Sequence, residues 1–86
     1  MTTPLPSTNA ARILEVLSAR DGIATEVELR DGTRIVVYNI AWGQDFENPE
    51  YHITSNVSPS LPGAASDFFF TQDVVAMRDV ASGISL

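Results

Sequence analysis

The segment VELRDGTRIVVYNIAWGQDF, residues 27–46, holds the feature that most limits what this chain can become. Asp31-Gly32 lies between two runs of β-forming residues, a hairpin signal. The run that follows, Ile35-Val36-Val37-Tyr38, is apolar at every position. Side chains alternate across a strand, so burying one face would make only every second position apolar. Both faces of this segment therefore need cover. A long strand that bends sharply between two packed layers supplies it, with one face buried before the bend and the other after it. The expectation is a tightly curled strand shared by both halves of a closed β shell.

The hairpin admits two registers. A two-residue turn sets Glu28 opposite Ile35. A three-residue turn, Arg30-Asp31-Gly32 with Gly32 left-handed, sets Val27 opposite Ile35 and Glu28 opposite Arg34. The second pairs apolar with apolar and acid with base, contacts of roughly 0.2–1 kcal/mol each. It is the register expected.

Around this hairpin the pattern is simpler. Residues 1–7, with Pro4 and Pro6, read as a flexible lead-in to a single small domain over 8–86. Ala10, Ile13, Leu14 and Leu17 recur at helical spacing, predicting a helix over 8–20 that Ser7, Thr8 or Asn9 can cap and Gly22 can close. Ile23 to Arg30 alternates as a strand, as does Tyr51 to Val57. GQDFENPE (43–50) and SPSLPGAAS (58–66) are connections. Asp67 to Phe70 is a short apolar strand, Thr71-Gln72-Asp73 a tight turn or one turn of 3₁₀ helix, and Val74 to Val80 a final strand. The β-rich part spans 23–80, with a turn at Ser82-Gly83 in a C-terminal tail, 81–86.

Composition narrows the function classes. The 86 residues include no cysteine, which excludes disulfides and Cys-ligated zinc. Eleven acids face five arginines and no lysine, a formal charge of −6. Nucleic-acid binding draws much of its affinity from cations set against phosphates, so DNA, RNA and anionic lipid are disfavoured. MTTPLPSTNAAR carries no basic region followed by an apolar run, and no stretch has the length of a membrane span. No membrane role and a cytoplasmic location are expected. Asn56-Val57-Ser58 matches a glycosylation sequon, read here as coincidence.

The order of helix, bent three-strand meander, short strand, tight turn and final strand resembles the Sm-like branch of the small SH3-type β-barrels. VELRDGTRIVV is similar to the first Sm motif, a strand, an Asp-Gly turn and an apolar strand. FFFTQDVVAM looks like the passage from strand four through a tight turn into strand five. The resemblance implies a mainly β fold with one N-terminal α-helix, a five-stranded SH3/Sm-like barrel, and self-association by edge-strand pairing. An α+β arrangement, with the helix across an open antiparallel sheet, is the alternative. Val37 and Tyr38 stand where the family carries a glycine, and Thr71-Gln72-Asp73 replaces its basic RNA-contacting turn, so no RNA-binding residue carries over.

Candidate chemistry is sparse. His52 is the only histidine, and no nucleophile-elbow pattern surrounds Ser55 or Ser58, so a catalytic triad is not expected. Asp45, Glu47, Glu50 and His52 form an oxygen-rich cluster without the spacing of a calcium loop. No catalytic residue, metal or cofactor is assigned. Trp42 is expected to pack in the core, with interface anchoring as its second reading. Successive strand residues face opposite ways, so Phe69 points away from Phe68 and Phe70, and one of those faces needs a cover. The expected function is a non-enzymatic protein-interaction or assembly module, with Trp42, Phe46 and Phe69 as contacts and a protein partner or second copy as ligand. A divergent Sm-like nucleic-acid binder using Arg30, Arg34 and Arg78 is the alternative, and a small hydrolytic or metal-dependent enzyme ranks last.

Overall fold

The computed structural model describes residues 8–45, 50–57 and 59–86. The expected lead-in, residues 1–7, lies outside them. Among the described residues, helix α1 (Thr8–Ala19) is followed by six strands: β1 (Thr25–Leu29), β2 (Arg34–Val37), β3 (Ile40–Gln44), β4 (Tyr51–Ser55), β5 (Phe68–Phe70) and β6 (Val74–Asp79), with one 3₁₀ turn, Thr71–Asp73, before β6. The strands form two antiparallel sheets of three, ordered β2-β1-β6 and β3-β4-β5.

The apolar run divides between the two sheets. Its early part is β2, where Ile35 and Val37 are buried and Val36 is exposed. The chain breaks from strand geometry at Tyr38-Asn39 and re-enters the second sheet as β3, where Ile40 packs against the core. The bend is thus present, and it splits the expected second strand into two, giving six strands in place of five. The closed shell is not formed: the two sheets remain separate ladders. At one end, Arg30 on the β1–β2 turn reaches the 3₁₀ turn, its N–H donating to Asp73 C=O (2.7 Å) and its guanidinium to Gln72 C=O (2.5 Å).

The hairpin adopts the three-residue turn. Val27 lies opposite Ile35 and Glu28 opposite Arg34. Leu29 N–H donates to Thr33 C=O and Gly32 has φ +91°, a conformation in which a side chain would be strained.

One apolar cluster joins the helix and both sheets: Ile13 and Leu17 from α1, Val27, Ile35, Val37 and Met77 from the first sheet, Ile53 and Phe69 from the second. Leu14, expected on the buried face, is half-buried, and Val16 packs against the cluster instead. Ile23, expected in β1, precedes it and is exposed. The C-terminal residues are more than a tail. Asp79 N–H donates to Ile84 C=O and Leu86 N–H to Met77 C=O, so the chain end lies along the outer edge of β6 while Leu86 packs on the core.

Two polar knots hold these layers. Asn56 is almost wholly buried and has φ +60°, the one non-glycine residue described with a positive φ. Asparagine tolerates that region better than most residues. Its side chain accepts from Tyr38 N–H (2.8 Å) and donates to Val36 C=O (3.0 Å) and Ala65 C=O (2.8 Å), sewing β2 to the end of β4. The second knot is Asp79, which accepts from Arg20 at the end of α1 and from the Ser82 backbone and hydroxyl. The Arg20 hydrogen bond, followed by those from Ser82, lowers its pKa to about 2.

Candidate functional site

The outer faces of the two sheets differ in chemistry. On the first, Arg78 donates to Glu26 and Glu28 (both 3.1 Å), and Arg34 lies 3.7 Å from Glu28. These are cross-strand neighbours by register, Glu26 beside Arg78 and Glu28 beside Arg34. The hydrogen bond to Glu28 is the main cause that raises the pKa of Arg78. Arg30, at the turn, lies 3.9 Å from Asp73. The three arginines proposed for nucleic acid are therefore each set against a carboxylate, and Arg30 is directed to the 3₁₀ turn rather than to the face that holds Arg34 and Arg78.

On the second sheet, the register places Gly43, His52 and Phe70 side by side, and Thr54 beside Phe68. The His52 imidazole stacks on Phe68 (centroids 5.8 Å, 26° between planes) and meets Phe70 edge-on (6.4 Å). Phe68 and Phe70 meet edge-on at 5.5 Å. Such pairs add about 0.5–1.5 kcal/mol each beyond the area they bury. Gly43 makes room for the imidazole: a Cβ there would lie 2.8 Å from His52 Cε1. Asp45 Oδ1 lies 3.3 Å from His52 Nε2 at the rim. The result is an aromatic shelf whose outermost ring, Phe68, is 61% exposed.

Two expectations are corrected by this geometry. Phe69 is not a surface contact. It sits opposite Ile53, is 3% exposed and belongs to the core. The register that turns it inward is fixed by Ser55 N–H donating to Asp67 C=O and Asp67 N–H donating to Ser55 Oγ. Phe68 takes the exposed place. Trp42, expected in the core, is 54% exposed, touching Tyr51 edge-on at 5.4 Å. It shares a face with Ile53 but stands on an edge strand. Phe46, the third expected contact, lies outside the described residues.

No family model matches this chain. No curated protein and no solved structure matches it either. The site must be read from its own chemistry.

Several of the candidate polar groups are already engaged with one another. The Ser55 hydroxyl is buried and accepts from Asp67 N–H. Glu50 turns inward, accepting from the Thr71 hydroxyl at 3.2 Å, while Asp45 turns to His52. Among the described residues no three of His, Cys, Asp and Glu converge on a common point, and Glu47 lies outside them. Among the same residues no helix is long and apolar enough to cross a membrane. Asn56 of the sequon has its side-chain amide committed to three hydrogen bonds. An open cleft of about 430 Å³ lies between the β1–β2 turn and β5, lined by Leu29, Arg30, Asp31, Phe68, Phe69 and Asp73.

Proposed function

We propose that this chain is a non-enzymatic protein-interaction or assembly module that docks a partner protein on the outer face of its second sheet. The observation that carries the reading is Phe68. It is largely exposed, yet it is held in place by His52 and Phe70 in a cluster that the described chain leaves uncovered. Aromatic side chains already fixed by their neighbours lose little freedom on binding, which suits them to anchor an interface. The acidic balance of the chain favours a partner with a basic rim around an apolar centre.

The same proposal includes a small SH3/Sm-like architecture, supported by the element order and by the bend between β2 and β3. It includes a cytoplasmic setting and no cofactor. A nucleic-acid role has no comparable support, since Arg30, Arg34 and Arg78 are each occupied by acids.

The test compares proteins captured by the wild type with those captured by Phe68→Thr, at matched thermal stability. A partner lost on that substitution alone, and retained by a charge change on the first sheet such as Arg34→Gln, supports the face. Capture undiminished by Phe68→Thr would overturn it.

A further inference from the structure

The cleft of about 430 Å³ between the β1–β2 turn and β5 shares one residue, Phe68, with the aromatic shelf. Its size falls within the range of roughly 300–1,000 Å³ usual for clefts that hold ligands. Its lining divides by chemistry. Leu29, Phe68 and Phe69 supply apolar surface, and Arg30, Asp31 and Asp73 supply charge.

The three charges are not equivalent. Arg30 is committed within the fold. Its N–H donates to Asp73 C=O, its guanidinium donates to Gln72 C=O at 2.5 Å, and its Nε lies 3.9 Å from the Asp73 carboxylate. These contacts hold the guanidinium against the 3₁₀ turn and set it beside one of the two acids. Asp31 is the other. It is exposed, and its carboxylate accepts from Thr33 N–H at 2.9 Å. That hydrogen bond lowers its pKa, so the group is ionised at neutral pH. Among the described residues no arginine lies within ion-pair distance of it. The cleft therefore sets one uncompensated negative charge beside apolar walls.

We propose that this cleft takes a basic side chain of the docked partner protein, a lysine or arginine whose aliphatic stem lies along Leu29 and Phe68 and whose cation reaches Asp31. The proposal rests on the docking-face reading and deepens it by naming the residue type that the partner carries beside the shelf.

Charge and shape together select this occupant. A carboxylate or phosphate would meet Asp31 and Asp73, with only the engaged Arg30 to receive it. A wholly apolar side chain would take water from Asp31 and return no hydrogen bond. A long basic side chain covers apolar surface with its methylenes while its charged end stays at the wet rim. The exposed ring of Phe68 adds a face that attracts a cation. The formal charge of −6 on the chain draws such a partner toward it.

Titration of the isotope-labelled protein with three small probes, followed by its amide resonances, tests this. The probes are Nα-acetyl-lysine amide, its neutral counterpart Nα-acetyl-norleucine amide, and Nα-acetyl-glutamate amide. The lysine probe is expected to shift the amides of Asp31, Gly32, Phe68 and Asp73 saturably, the norleucine probe to bind more weakly, and the glutamate probe not to bind. Asp31→Asn keeps an acceptor for Thr33 N–H and removes the charge. It should weaken the lysine probe by about two- to fivefold at low salt, bringing it level with norleucine. Asp21→Asn, an equal loss of charge on an exposed residue outside the cleft, should leave lysine binding unchanged. Equal binding of lysine and norleucine by the wild type overturns the proposal, as does lysine binding undiminished by Asp31→Asn or an absence of shifts at the cleft. Partner capture separates the cleft from the docking face. A partner released by Phe68→Thr, yet held by Asp31→Asn as tightly as by the wild type, leaves the face standing and removes the cleft. A partner still held by Phe68→Thr overturns both.

Discussion

The first sheet carries its charges in pairs and has both edges closed. Glu26, Glu28, Arg34 and Arg78 form a lattice in which each charge lies against an opposite one, Asn56 blocks one edge and residues 84–86 lie along the other. The second sheet, of equal strand number, carries an aromatic shelf on its outer face and an uncharged strand at one edge. Both sheets contribute inward to one core, so folding explains their common side. Folding does not explain why only one of them is finished on the other side. A surface satisfied by its own ion pairs gains little from a partner, whereas exposed aromatic area gains from burial at roughly 25 cal/mol per Å². The contrast is the ground on which a docking face is proposed for the second sheet.

The strongest way to break that contrast is to exchange the roles given to two adjacent phenylalanines. Phe69→Ala removes a buried ring from the centre of the core and should cost about 3–5 kcal/mol in denaturant unfolding. Phe68→Ala should cost less, about 1–2 kcal/mol from its two ring contacts, because most of the residue already meets water. Equal losses would mean that the shelf is core and that the second sheet has no free face.

Next in size is the closure of the first sheet. Asn56→Ala strips partners from Val36 C=O, Tyr38 N–H and Ala65 C=O and forces a left-handed alanine, a loss of about 3 kcal/mol. Asn56→Asp keeps the acceptor for Tyr38 but turns a carboxylate oxygen toward Val36 C=O and Ala65 C=O in a buried site, so at neutral pH it should cost at least as much as alanine. A neutral Asn56→Ala would show that the Asn56 side chain is not what closes the β2 edge.

How much of this was legible in the sequence follows from the range of the forces involved. The hairpin register could be read because Val27 with Ile35 and Glu28 with Arg34 are neighbours across a short turn, and only one register pairs like with like. The bend at Tyr38-Asn39 follows the four apolar positions, but Val36 on their outer face stays exposed, so burial of both faces is not what that run signals. The phase of Phe68-Phe69-Phe70 could not be read, since the three side chains are identical and Ser55 with Asp67 decides which one turns inward. Trp42 escaped for a similar reason: its exposure depends on β3 being an edge, a property of the whole sheet. Asn56 carried a weak signal, an asparagine ending an alternating strand, but its contacts at Val36 and Ala65 are set by the fold.

A smaller effect comes from acid. Asp79 is held near pKa 2 by Arg20 and Ser82, against an unfolded value of about 3.9. A carboxylate whose folded pKa is depressed adds stability that is complete above the unfolded value and is lost as pH falls through the folded one. Stability should therefore decline between about pH 4 and pH 2. Asp79→Asn should flatten that part of the profile while lowering stability at neutral pH. Asp31, lowered by the Thr33 N–H, contributes in the same direction. Because Asp79 ties α1 to the C-terminal turn beside β6, the protection of the residue 84–86 amides relative to their intrinsic exchange rate should fall over the same range, with the His52 shelf unaffected. Loss of both together would mean that the two sheets do not respond independently.

The smallest expected change is also the sharpest probe of the shelf. Gly43→Ala puts a methyl group within 2.8 Å of His52 Cε1, too close for both to stay. The backbone of β3 is paired to β4, whereas the imidazole is the free end of a side chain, so the ring moves. Stability should change by less than about 1 kcal/mol, since alanine suits a strand better than glycine and offsets part of the displacement. The position of the imidazole should change far more. Stacked on Phe68, its Cε1 proton feels the ring current of that phenylalanine, and it sits beside Asp45. In Gly43→Ala the proton should shift toward the value of an unstacked histidine, and binding through Phe68 should weaken although Phe68 itself is untouched. If the shift stays as in the wild type, the glycine is not what seats the imidazole. The shelf would then rest on the two phenylalanines alone, and His52 would be a bystander at its edge.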